Sequence, residues 1–269
     1  MTPRNAIVEA HARGEISREI ALARLLLTGE APAPGTLPPA LETLAEAHRD
    51  RLEPLAALAR QGFDANDPSS AAALFDRLAT EAPEAAVAIY SLGDPTLLAA
   101  ATAELVAVID AWVPVTGRSI LDLGCGIGRV AAALAPAATS VIGVDVSRGM
   151  IAEAKRRTAG IPRLRFVATE GRRLFPADAT MDLIIVADSL PFLVQAGDVV
   201  LDEALAEFTR LLRPGGDLLV FNWSYRGDPE RDVADARSVA ARFGYDLLRA
   251  GERPFAIWDG TAFHLRRAA

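Results

Sequence analysis

The chain is predicted to be an α/β protein: a doubly wound, mostly parallel, seven-stranded sheet preceded by an all-helical extension. Three observations carry that expectation. Short apolar runs begin only at Ser119 and then alternate with helical segments. A glycine-rich turn, Gly124-Cys125-Gly126-Ile127-Gly128, follows the first run, and the second run closes on a carboxylate, Asp145. Parallel strands must be joined by crossovers, so alternation of strand and helix is their signature.

Before Ser119 only helices are expected. Asn5–Ala12 is a short amphipathic segment stopped near Gly14, and Ser17 can cap a helix that Thr28-Gly29 ends. Ala31–Pro39 (APAPGTLPP) holds too many prolines for helix or central strand and reads as a connector. Leu41, Leu44, His48, Leu52, Leu55 and Leu58 recur at steps of three and four, one face of a helix, with His48 as a packed member of the stripe. Asp67-Pro68 and Asp94-Pro95 each set a capping carboxylate before a proline at the first helical position. The second of these helices presents Leu98, Ala101, Leu105, Val108 and Trp112 along one side and ends at Pro114 and Gly117.

The strands follow as ILDLG, VIGVDV, LRFVA, DLIIVAD and DLLVFN, then Tyr245–Arg249 and Thr261–Arg267. Helices are expected from about Arg129, from Ser147, over Asp198–Leu212 and over about Asp232–Phe243, with RPGG as a chain reversal before the fifth strand. Length and pattern together predict a helical part at 1–110 and a sheet domain at 111–269.

Composition narrows the function. Hydrophobic residues make up 51% and charged residues 23%, enough for a packed core. The net charge of −7 repels phosphate backbones at long range, so no nucleic-acid partner is expected. Lys155 is the only lysine, and the arginines are not each read as functional. With Cys125 as the only cysteine and His11, His48 and His264 widely spaced, neither a disulfide nor a metal site is expected. No window is read as approaching a membrane span, and the charged N-terminus lacks an apolar signal region, so the expectation is a cytoplasmic protein without a membrane partner.

The glycine turn lets a ligand approach the main chain, and a carboxylate about 20 residues further on can accept both hydroxyls of a ribose. The spacing is GxGxG, with Arg129 where a dinucleotide site would want its third glycine, which disfavours a nicotinamide oxidoreductase.

Here the residues resemble the class I S-adenosylmethionine-dependent methyltransferases, a Rossmann-like superfamily. The likeness covers about Asp110–Arg267 and rests on four ordered motifs: ILDLGCGIGR, VIGVDVS, FVATEGRRLFPADATMDLIIVADSL and LLRPGGDLLVFNW. It implies S-adenosylmethionine as cofactor, S-adenosylhomocysteine as product and no metal. It implies that Gly124, Gly126 and the Cys125 backbone lie against the methionine part, with Asp122 supporting the turn or the amino group. Asp145 would hold the ribose and Val146 pack on adenine. Glu170 stands where many members have Asp beside the adenine amino group, with Gly171 and Arg172 supplying nearby backbone. Asp188 would lie near the methionine amino group and the methyl. Tyr90 and Phe75 are candidates for the aromatic that covers the cofactor in related enzymes, which would make the helical part a lid.

Cys125 reads as a small residue filling a tight turn, and Asp182 as structural. By topology Asp188–Phe192 and Asn222–Arg226 border the acceptor site, because ligands of open parallel sheets sit beyond the carboxyl ends of the strands. Asp188, Asn222, Tyr225 and Arg226 are therefore candidates near the acceptor, with Trp223 among the groups that could orient it. Trp258 could anchor a loop or meet a second subunit, and a homodimer stays open. The expected activity is methyl transfer to a small molecule at oxygen, nitrogen or carbon. The alternatives are a protein or RNA methyltransferase that docks through the helices, and a non-catalytic binding subunit.

Overall fold

Seven strands form a single sheet in the computed structural model, which describes residues 3–60, 68–169, 174 and 177–269. They are β1 (Ser119–Leu123), β2 (Ser140–Asp145), β3 (Leu164–Ala168), β4 (Met181–Ala187), β5 (Leu212–Phe221), β6 (Tyr245–Glu252) and β7 (Ala262–Arg267). Their order is β3-β2-β1-β4-β5-β7-β6, with β7 antiparallel to both neighbours and the pairs among β1 to β5 parallel. The chain leaves β1 toward β2 and returns past it to β4, so the order reverses at the carboxyl end of β1, the usual place for a ligand.

The described helices are α1 (Pro3–Ala12), α2 (Arg18–Leu26), α3 (Pro39–Ala47), α4 (Arg49–Ala59), α5 (Pro68–Glu81), α6 (Pro83–Val87) and α7 (Pro95–Trp112), followed among the strands by α8 (Arg129–Leu134), α9 (Arg148–Arg157), α10 (Leu190–Gln195), α11 (Asp198–Leu211) and α12 (Pro229–Phe243). Among the described residues, seven α-helices and one 3-10 turn (Ile89–Ser91) precede the first strand.

Two compact units divide the chain: Met1–Phe63, Leu78–Ala101 and Phe255–Asp259 in one, and Asp64–Arg77, Thr102–Pro254 and Gly260–Ala269 in the other. A single cut near residue 110 is simpler than this. The stretch Pro68–Arg77 belongs with the sheet, and the loop at Phe255–Asp259 belongs with the helices.

The helical unit packs Leu22, Leu26, Leu44, Leu52, Leu55 and Leu92 into one core. Ser17 caps α2 by accepting Ile20 N–H at 3.1 Å, and Asp94 accepts Thr96 and Leu97 N–H at 2.7 and 3.2 Å at the start of α7. The leucine stripe from Leu41 to Leu58 occupies two helices, because His48 leaves the helical conformation (φ −119°, ψ 16°) between α3 and α4. His48 then stands 3.8 Å from Asp94, and Arg51 donates to Gly93 O at 2.7 Å, so the break ties both residues to the turn before α7. Trp258 anchors its loop: it stacks on Tyr90 (5.9 Å between centroids), while Ser17 Oγ donates to Ile257 O and Arg24 pairs with Asp259 at 2.5 Å.

In the sheet unit, Leu121, Ile184, Val186, Leu218 and Val220 on the strands meet Leu205, Phe208, Leu211, Val239 and Ala240 on α11 and α12. Asp182 is structural as expected, accepting Ser119 N–H at 2.8 Å and Arg213 at 2.6 Å. Asp217 on β5 takes His264 and Arg266 of β7 at 2.8 and 2.9 Å, which fastens the antiparallel strand. RPGG departs from the expected reversal. It lies inside β5, where Met181 pairs with Leu212 and Leu183 with Asp217, so three extra residues bulge out of the ladder. The short helix α10, unexpected from the sequence, is built on Leu190-Pro191 with proline in its first turn.

One expectation is corrected. α7 is 18 residues long with a mean hydropathy of 1.3, so by length and composition it is apolar enough to cross a bilayer. The alanine-rich run around Glu104 and Asp110 produces that value. Leu98, Ala101, Leu105 and Ile109 form its buried side, with Ile109 replacing the expected Val108.

Candidate active site

The carboxyl end of β1 is shaped by sterics. Gly124 has φ 69°, and a Cβ there would lie 2.4 Å from the Cβ of Ser189. Ser189 is itself fixed, its hydroxyl donating to Leu123 O at 2.8 Å. At Gly128 (φ 77°) a Cβ would lie 2.6 Å from the ring of Phe166 on β3. The turn therefore needs glycine for close packing as well as for backbone shape. The amides of Gly124 and Cys125 both donate to Val144 O, at 2.8 and 3.0 Å, which draws the turn onto β2. Cys125 is buried, and burial pushes its thiol well above the ordinary value, as befits a packing residue.

Asp145 is held by two amides. Oδ2 accepts Gly126 N–H and Oδ1 accepts Ser147 N–H, each at 2.9 Å. Burial raises its pKa, and the amides of Ser147, Gly126 and Val146 oppose that rise. A carboxylate offers about four lone-pair sites, so these amides leave acceptor capacity for a ligand hydroxyl. Val146 beside it exposes 43% of its surface, an apolar shelf for a flat ring. The donor set thus fits a nucleoside with free ribose hydroxyls. Glu170, Gly171 and Arg172, expected near the adenine, lie outside the described residues.

Asp122 sits inward. It is 2% exposed, and its Oδ2 accepts Ala131 N–H in the first turn of α8 at 3.2 Å. That bond ties the end of β1 to the start of α8. Burial raises its pKa to about 7, against the opposing pull of Arg129.

On the other side, β4 and β5 end in Asp188 (φ 58°) and Asn222 (φ 72°), both left-handed without being glycine. Asn222 Nδ2 donates to Asp188 Oδ1 at 2.7 Å, and the Tyr225 hydroxyl donates to the same oxygen at 3.0 Å. Tyr225, 49% exposed, meets Phe192 edge-on (5.8 Å), and Phe192 meets Phe75 edge-on (5.6 Å). Strained non-glycine residues of this kind cluster at functional sites.

Three candidates have surroundings of their own. The Arg226 guanidinium donates to Asp232 at 2.5 Å, Asp235 at 2.7 Å and Ser224 Oγ at 3.0 Å, so its charge is engaged within its own segment. Trp223 is 1% exposed and packs on Phe263 in the core; its indole N–H has no partner among the described residues. Tyr90 is buried against Trp258 in the helical unit. Asp76 was missed: its Oδ1 accepts Ser147 Oγ at 2.6 Å and Gly149 N–H at 2.7 Å, and a lone aspartate inside a helix carries no sequence signal of that reach. Among the described residues no group of His, Cys, Asp or Glu is arranged to hold a metal ion.

Residues 120–216 match the family described as a methyltransferase domain. A demethylmenaquinone methyltransferase of Clavibacter sepedonicus is 30% identical over 187 residues, 70% of this chain and 67% of that one. A cypemycin N-terminal methyltransferase of a Streptomyces species is 32% identical over 216 residues, 74% of this chain and 80% of that one. Among solved structures, magnesium protoporphyrin IX methyltransferase from Synechocystis PCC 6803 with bound S-adenosylmethionine has the same fold (TM-score 0.56, 17% identity, 77% of this chain and 99% of that one). The chain belongs to the class I S-adenosylmethionine-dependent methyltransferases. It is accordingly an enzyme that uses S-adenosylmethionine.

Proposed function

We propose that the enzyme methylates a small-molecule acceptor held beside Asp188, Asn222 and Tyr225. The observation that carries this reading is the convergence of an amide and a phenol on one Asp188 oxygen, at 2.7 and 3.0 Å, where two left-handed residues end adjacent strands. Phe192 and Phe75 extend the cluster as an apolar wall. The relative that is a demethylmenaquinone methyltransferase supports a small acceptor.

Asp145 would take the ribose hydroxyls, Val146 the adenine, and the Gly124–Gly126 backbone the methionine part. Bound S-adenosylmethionine supplies a methyl group already activated on a sulfonium. The chain's share is then alignment and exclusion of water. Asn222 and Tyr225 fix the direction of the Asp188 carboxylate. That carboxylate can orient an acceptor hydroxyl or amine and receive its proton where the acceptor must lose one.

A second reading is a peptide amine as acceptor. It is favoured by the cypemycin N-terminal methyltransferase, whose match spans 80% of that relative. Incubation with S-adenosylmethionine and a panel of phenols, quinols, small amines and short peptides, read by mass spectrometry, separates the two. Methylation of a phenol, quinol or small amine supports the first; methylation confined to peptides replaces it with the second.

A further inference from the structure

We propose that Asp76 is a cofactor-positioning residue, and that the first part of α5 ties the two sides of the cofactor cleft together across the end of β1. The proposal rests on the cofactor reading above and adds a residue that lies outside every motif that produced it.

Phe75 and Asp76 are adjacent on α5 and reach in different directions. Asp76 reaches the β2 side, where the helix after Asp145 begins. One oxygen, Oδ1, accepts both Ser147 Oγ at 2.6 Å and Gly149 N–H at 2.7 Å. Phe75 reaches the β4 side, where its ring meets Phe192 of α10 at 5.6 Å. β1 lies between β2 and β4 in the sheet, so the two contacts of this dipeptide fall on either side of β1, two strand spacings or roughly 10 Å apart.

The contact made by Asp76 bears directly on the nucleoside pocket. Ser147 does two things: its N–H holds Asp145 Oδ1, and its hydroxyl caps α9 by accepting Met150 N–H at 3.0 Å. By accepting the Ser147 hydroxyl proton, Asp76 fixes which way that hydroxyl points, and so locks the Asp145-Val146-Ser147 corner. It also occupies the first amides of α9, where a phosphate would otherwise find donors. Burial acts to raise the Asp76 pKa, yet bonds from Ser147, Gly149 and Arg148 outweigh it and keep the group below the ordinary value. The carboxylate therefore stays ionised at neutral pH, a charge-assisted acceptor at a helix N-terminus.

Because a single oxygen takes both bonds, Asp76→Asn can keep the acceptor while removing the charge, whereas Asp76→Ala removes both. The test is titration of wild type, Asp76→Ala, Asp76→Asn and Phe75→Leu with S-adenosylhomocysteine by calorimetry, with dissociation rates from stopped-flow competition and melting temperatures without ligand. Wild type should bind, and Asp76→Ala should weaken binding roughly tenfold with faster release, in keeping with loss of a charge-assisted bond. Asp76→Asn should stay within about threefold of wild type, and Phe75→Leu should speed release. Wild-type affinity in Asp76→Ala overturns the proposal, as does an Asp76→Asn variant as weak as Asp76→Ala. Should Asp76→Ala melt before titration, Ser147→Ala, which removes the hydroxyl that Asp76 accepts, takes its place, and wild-type affinity and release there overturn the proposal; wild-type release in Phe75→Leu refutes the strap. A wild type that fails to bind S-adenosylhomocysteine overturns the cofactor reading itself, and the proposal with it.

Discussion

Asn222 donates its side-chain amide to Asp188 at 2.7 Å, and each of the two holds a backbone conformation that favours glycine. They lie at the ends of neighbouring strands, with Asp188 N–H bonded to Phe221 O and Asn222 N–H to Thr261 O. The pair is over-determined by the sheet below it, and that lets a strained geometry persist at the place where an acceptor would be aligned.

Replacing Asn222 separates strain from bonding. Asn tolerates the left-handed region better than alanine does, and glycine tolerates it without penalty. Asn222→Ala should cost about 2 kcal/mol from added strain and the lost bond. Asn222→Gly should cost less, because relief of strain offsets the bond. Urea unfolding of the three proteins checks the order.

Asp122 makes stability depend on pH. Its folded pKa of about 7 lies above the ordinary carboxylate value, so the folded state binds its proton more tightly than the unfolded chain. The stability this adds is fully present below the unfolded value near pH 4 and is lost as pH rises through about 7. Asp122→Asn keeps an acceptor for Ala131 N–H and does not titrate. It should flatten the stability profile between pH 4 and 7 and gain on wild type at pH 8. Asp145, also raised, leaves a residual slope. Denaturation at pH 5 and pH 8 reads the difference.

Gly124→Ala should fail for two reasons at once. The new methyl meets Ser189 Cβ at 2.4 Å, and the backbone is left-handed at φ 69°. Together these should cost about 2–4 kcal/mol. Pairing it with Ser189→Gly should recover the part due to collision and leave the part due to φ, a split that a double-mutant cycle measures.

Much of this arrangement was legible in the sequence because it is local. The glycine turn, the carboxylate closing VIGVDVS and the alternation after Ser119 each sit within a few residues of what they determine. What escaped is tertiary. Nothing around Asp76 signals that it caps a helix more than seventy positions away. Arg226 looked available for an anionic acceptor, and it is the turn into α12 that brings Asp232 and Asp235, six and nine residues on, to it. RPGG has the composition of a reversal, yet the ladder between β4 and β5 absorbs it as a bulge. Phe255–Asp259 follows a strand in sequence, and it joins the helical unit because Trp258 stacks on Tyr90.

The central claim is that Asp145, held by Gly126 and Ser147, is the nucleoside anchor of a methyltransferase. Calorimetric titration of wild type and Asp145→Ala with S-adenosylhomocysteine, alongside NAD(H) as control, tests it most directly. The account predicts selective binding by wild type, a loss of at least about tenfold in Asp145→Ala from removal of a charged acceptor, and a variant that still unfolds cooperatively. Equal affinity in the folded variant, or preference for the nicotinamide dinucleotide, would contradict it.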